Sequence, residues 1–71
     1  DIVKKKQIST MLKEVYSALD ERGYNPINQI VGYLISGDPG YISNYKESRS
    51  KLQEFDRSEI TAILLEEFLT K

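Results

Sequence analysis

Apolar residues along this chain recur at helical rather than strand spacing. They fall in four stretches set apart by Gly23, the Asn25-Pro26 pair, the Gly37-Asp38-Pro39-Gly40 cluster and Asp56. In the first stretch, from about Val3 to Arg22, Ile8, Met11, Leu12, Val15 and Leu19 form one stripe, with Lys4, Lys5, Lys6, Lys13 and Glu14 mostly outside it. Gly23 then supplies a stop, since glycine accepts the left-handed conformation that follows a helix. The second predicted helix opens with Asn25 as its cap and Pro26 at the first position, where no N–H is required, and closes near Ser36 before Gly37. At about 100° per residue its apolar residues Ile27, Ile30, Val31, Tyr33, Leu34 and Ile35 cover an arc of roughly 200°. So broad an arc predicts a central helix, covered on two sides. The remaining strip, Asn28, Gly32 and Ser36, reads equally as an approach surface for another helix or as a thin polar strip facing water.

Asp38-Pro39 repeats the cap-plus-proline signal and predicts one short turn through Ile42. A third helix is expected from Asn44, with Glu47 three residues on completing a capping box and a narrow stripe of Tyr45, Ser48, Leu52 and Phe55. Asp56 and Glu59 form a second such box, launching a last helix toward Leu69. That helix has two stripes, Ile60-Ile63-Leu64-Phe68 and Ala62-Leu65-Leu69, and Glu67 interrupts the first. Two apolar faces on a terminal helix fit one that docks on a second protomer. The expected fold is all-α: a single domain over residues 1–71, a compact bundle of about four helices with a helix-turn-helix-like centre, assembled as a homodimer.

Size supports self-association. A chain of 71 residues buries only about 60% of its unfolded surface, and small domains are commonly reinforced by disulfides, a metal or a second copy. The sequence has no Cys and no His, so neither disulfides nor the usual metal ligands are offered, and the usual general base near neutral pH is missing. No glycine-rich phosphate loop occurs, because Gly37-Asp-Pro-Gly40 lacks the lysine and spacing of one. Asp38 and Glu47 are simpler as helix caps than as an acid–base pair. The expectation is therefore a non-enzyme without metal or cofactor. With 10 Lys+Arg against 11 Asp+Glu, nucleic acid is disfavoured as a partner, and Lys4-Lys5-Lys6 reads as the solvated start of a helix. A helix-turn-helix nucleic-acid-binding regulator is the alternative, weakened by the near-neutral third helix, where Lys46, Arg49 and Lys51 face Glu47 and Glu54. No run of 18 apolar residues and no secretory signal is present, so membrane insertion is not expected and the location read from the sequence is cytoplasmic. The chain begins at Asp1 rather than methionine, from which a preceding N-terminal segment is expected.

Five tyrosines stand out where tryptophan is absent: Tyr16, Tyr24, Tyr33, Tyr41 and Tyr45. Tyrosine joins apolar area to a polar tip and is enriched at protein interfaces. The candidate interaction and dimer region is Tyr24, Asn25, Pro26, Gln29, Gly32, Tyr33 and Asp38, with Leu65 and Leu69 on the last helix.

The run Gly23-Tyr-Asn-Pro-Ile-Asn-Gln-Ile-Val-Gly-Tyr33, with Leu34-Ile-Ser-Gly-Asp-Pro39 and Tyr41-Ile42, closely resembles the signature of the IreB family, small regulatory phosphoproteins of low-GC Gram-positive bacteria. The likeness extends through Leu12, Val15, Tyr16 and Leu19 upstream and Arg49, Arg57, Glu59 and Ile60 downstream. It implies a helical homodimer and a substrate of a transmembrane Ser/Thr kinase in cell-envelope stress signalling, with an unnamed protein partner. The family carries its phosphorylated threonines ahead of the first helix, in a segment not present here, so no phosphosite is assigned to Ser9 or Thr10. The chain departs from the family pattern at Ser43 and Asn44, where a proline and a basic residue are usual, and at Gln53 and Glu54, which replace basic positions.

Overall fold

The computed structural model describes residues 1–70, and every regular element in that range is helical. Helix α1 spans Ile2–Glu21, α2 Pro26–Ser36, α3 Ser48–Gln53 and α4 Arg57–Leu69, with single 3-10 turns at Pro39–Tyr41 and Tyr45–Glu47. The radius of gyration is 11.5 Å, against about 11 Å for a compact chain of this length.

The boundary signals act largely as expected. The Asp1 carboxylate accepts from the Val3 N–H at 2.9 Å and starts α1. Asn25 accepts from the Asn28 N–H at 3.1 Å, ahead of buried Pro26 at the first position of α2. Gly37, at φ 77°, ends α2 in the left-handed conformation and donates to the Tyr33 carbonyl. Asp38 caps the Pro39 turn by accepting from the Gly40 N–H at 2.8 Å.

Two capping expectations are corrected. Asn44 makes no side-chain capping bond, and α3 begins only at Ser48, because Lys46 and Glu47 adopt left-handed backbone conformations. Asp56 likewise makes no side-chain cap for α4. Glu59 pairs with Lys4 of α1 at 2.8 Å, which brings α4 against α1, and it still reaches back to the Asp56 backbone N–H. Lys4 and, less strongly, that N–H lower its carboxyl.

The hub is α1 rather than α2: α1 packs against α2, α3 and α4, whereas α2 packs on α1 and on the Pro39–Tyr41 turn. At about 1.5 Å per residue, a helix as long as α1 can pass beneath all three others. Ile8, Met11, Val15 and Leu19 of α1 form the centre of the core with Ile30 and Tyr33 of α2, Ile42, Leu52 of α3 and Ile60 of α4. Of the predicted stripes, Ile8, Met11, Val15 and Leu19 of α1 and Ser48 and Leu52 of α3 are buried, while Leu12, Phe55 and Tyr45, which precedes α3, are half-buried. The broad arc of α2 is buried on one side only. Glu67, which interrupts an apolar stripe of α4, meets Lys5 of α1 at 3.4 Å.

The long connection over residues 37–47 is pinned at Pro39, Ile42 and Ser43, and a further bond holds the end of α2. Gln29 accepts from the Ser43 N–H at 3.0 Å. Arg49 Nε donates to the carbonyls of Pro39 and Ile42, each at 3.0 Å. Arg57 donates to the Leu34 carbonyl at 3.0 Å, one of the acceptors left over at the end of α2. A DNA-binding helix-turn-helix uses a turn of roughly 3–4 residues, far shorter than this connection.

Candidate protein-interaction site

An open groove of about 770 Å³ runs between α1, α2 and α4. Leu12, Ile30, Leu34 and Ile63 contribute its inner part, Tyr16, Ile27, Val31 and Leu64 its outer part, and Ser9, Lys13, Ser17 and Glu67 its polar lining. Each element reaches it for a local reason. Residues 9, 12, 13, 16 and 17 share one face of α1, and Ile27 and Val31 lie one turn apart on α2. Ile35 continues that row at the next turn, so Ile27, Val31 and Ile35 form a ridge at i, i+4 and i+8.

This face is uncovered within the chain. Ile27 is 59% exposed, Val31 46% and Ile35 79%, and Phe68 on α4 reaches 82%. Single exposed apolar residues are ordinary on a protein surface, but a contiguous row beside a groove is a candidate contact site. Ile30, one position away from Val31, is buried in the core. The change from buried to exposed across adjacent residues marks where the protomer's own packing stops.

The residues singled out from the sequence mostly build the scaffold beside this face. Asn25 and Asp38 cap, Pro26 is buried at the start of α2, Gln29 holds the Ser43 loop, and Tyr33 lies in the core. Tyr24 is exposed just after α1. Gly32 is filled by the chain itself: a β-carbon there would sit 2.4 Å from Cδ1 of Tyr41, so that ring lies over the helix where the sequence left open another helix or water. Leu65 and Leu69 are exposed on α4, and Leu65 lines a separate cleft with Arg57, Thr61 and Leu34. The groove residues Tyr16, Ile27, Val31 and Leu64 were absent from that first set; the width of the α2 arc pointed to Ile27 and Val31, and the second apolar side of α4 to Leu64.

Electrostatics concentrate elsewhere, at the end of α1. The Glu21 carboxylate accepts from the Tyr45 hydroxyl and from Lys46 Nζ, and the Arg22 guanidinium lies 5.3 Å from the Tyr45 ring centre. The Tyr45 hydroxyl, then Lys46, hold Glu21 below the ordinary carboxylate range, and Glu21 raises both Tyr45 and Lys46 in return. Lys4 in the same way lowers Glu59 and is itself raised. Around α3 the cations are engaged: Lys46 with Glu21, Lys51 with Glu14 at 3.9 Å, and Arg49 with backbone carbonyls. Among the described residues, no group of three Asp or Glu side chains is arranged to hold a metal, and no helix is long and apolar enough to cross a membrane.

The sequence signature, the four helices and an exposed apolar face stand beside one comparison with known families. The family model described as IreB regulatory phosphoprotein matches residues 1–70, and the chain therefore belongs to the IreB family.

Proposed function

We propose that this protein is a non-enzymatic regulator that works as a symmetric homodimer, the groove face of one copy packed on the same face of the other. The observation that carries this reading is the ridge of Ile27, Val31 and Ile35, left in water beside Leu64 and Phe68 while Ile30 is buried. A two-fold interface must be self-complementary, and a ridge adjoining a groove on one face meets that requirement. Stable interfaces bury about 800 Å² per partner, and on a protomer with extents of 30 × 23 × 20 Å a contact of that size takes up most of one face.

Regulation follows the family's description as a phosphoprotein. The proposed modifying enzyme is a transmembrane Ser/Thr kinase acting in cell-envelope stress signalling, which places the protein in the cytoplasm. A phosphate adds roughly two negative charges, enough to alter docking of a protein partner. Sedimentation velocity at tens of micromolar tests the assembly: a mass of twice 8.2 kDa is expected, and a monomer at that concentration refutes it. Phosphopeptide mapping of protein from wall-stressed cells tests the kinase reading. A stoichiometry unchanged by stress would remove it without touching the dimer.

A further inference from the structure

The strongest conflict between local sequence and structure lies in residues 44–47, Asn-Tyr-Lys-Glu. Asn44 and Glu47 have the spacing of a capping box for a helix beginning at Tyr45. In the fold, Asn44 makes no side-chain cap and α3 starts three residues later, at Ser48. Lys46 and Glu47 instead lie at φ 51° and 63°, the only positive-φ residues other than glycine among those described. For an L-residue with a β-carbon, each such conformation is disfavoured roughly fivefold to thirtyfold against the right-handed one. Neither Lys nor Glu has the short polar side chain that eases the left-handed state in Asn or Asp.

What opposes this preference is concentrated on one carboxylate at the end of α1. Glu21 accepts from the Tyr45 hydroxyl and takes Lys46 Nζ at 2.9 and 3.1 Å on its two oxygens. Arg22 lies over the Tyr45 ring. Upstream, the Gln29 bond to the Ser43 N–H holds the loop up to residue 43, and Ser48 begins α3 with its hydroxyl on the Tyr45 carbonyl at 2.7 Å. The two flanks are fastened independently; in the middle the Tyr45 N–H donates to Ser43 Oγ at 3.2 Å and the Glu47 N–H to the Asn44 carbonyl at 2.9 Å, while the side chains of Tyr45 and Lys46 are tied to Glu21.

We infer that residues 44–47 are a two-state connector: Glu21 holds them left-handed, and release of its carboxylate lets α3 grow back to Tyr45 with Asn44 and Glu47 as its capping box. The change carries the Tyr45 ring away from α1 and lengthens α3 by three residues, from Ser48–Gln53 to Tyr45–Gln53. Any cationic group that competes for Glu21 is thereby coupled to the length of α3.

NMR of the whole chain tests this, since the Cα shift and the amide–Hα coupling of Lys46 and Glu47 separate left-handed from right-handed backbone. The parent should show left-handed values at both. Glu21→Ala should move both toward helical values, a population change of about twofold to fivefold, the size that an exposed ion pair can supply. Tyr45→Phe should move them in the same direction by less. Glu47→Gly should raise the folding equilibrium constant by about threefold to tenfold, the left-handed penalty less the entropy of glycine. Added to Glu21→Ala, it should restore left-handed values at Lys46. Unchanged signatures in Glu21→Ala, random-coil rather than helical values, or a lower folding constant for Glu47→Gly would each overturn the inference.

Discussion

Trimming Ile35 separates the proposed interface from the fold, because this side chain is 79% exposed in the protomer. Ile35→Ala deletes three carbons, worth about 2.4 kcal/mol if fully buried and about 1.9 kcal/mol after scaling by the exposed fraction a partner can cover. Two-fold symmetry counts the loss twice, giving about 3.8 kcal/mol, or about 600-fold in the dimer dissociation constant. Half coverage would give about 25-fold on the same reckoning. The protomer should hardly respond: alanine is the better helix former by a few tenths of a kcal/mol, and the side chain is outside the core. Ile30→Ala is the contrasting variant, since Ile30 is buried in the core and its loss should lower folding stability by about 2–5 kcal/mol. Sedimentation equilibrium over a dilution series reads the association, and urea unfolding of the dilute protein reads the fold. A dissociation constant for Ile35→Ala within about threefold of the parent, where even half coverage predicts about 25-fold, would refute the assignment of this ridge to the interface.

Three further outcomes follow from the packing and charges. Gly32→Ala should destabilise by about 1 kcal/mol despite the gain in helix propensity, because the new β-carbon displaces the Tyr41 ring. In a Tyr41→Ala background the sign should reverse to a gain of about 0.8–1 kcal/mol, which a double-mutant cycle by urea unfolding checks. Leu52→Ala, at a side chain with no exposed surface, should cost about 2–5 kcal/mol and largely unfold so small a domain, as circular dichroism would show. Stability should depend on pH at both ends of the range. It falls on the acid side because Glu21 and Glu59 are lowered: their contribution is present above the ordinary carboxylate value and lost as pH falls through the folded one. It falls on the alkaline side because Tyr45, Lys4 and Lys46 are raised: their contribution is complete below their ordinary values and lost as pH rises through the folded ones. Urea midpoints across pH should show both shoulders, and Glu21→Gln should blunt the acid one.

Elements governed by nearest neighbours were legible in the sequence. Asn25-Pro26, Gly37 and Asp38-Pro39 define boundaries through backbone sterics and bonds spanning two to four residues, and the structure places each as expected. The stripes of α1 and α3 predicted their buried sides, because helical spacing alone brings Ile8, Met11, Val15 and Leu19, or Ser48 and Leu52, to one face. The family signature was likewise visible in the order of residues from Gly23 to Ile42. Where local signals competed with distant ones, the local reading failed. The Asn44–Glu47 box did not form: Lys46 and Glu47 are left-handed, and the side chains of Tyr45 and Lys46 go to Glu21, more than twenty positions upstream. The open strip at Gly32 was taken by Tyr41. The α2 arc showed that this helix is apolar over more than one side, but not which side its own chain would bury. Only the way α2 and α4 settle on α1 decided that Ile30 lies inside and Val31 and Ile35 outside, because burial depends on where the neighbouring helices run out, a quantity that no spacing along one helix contains.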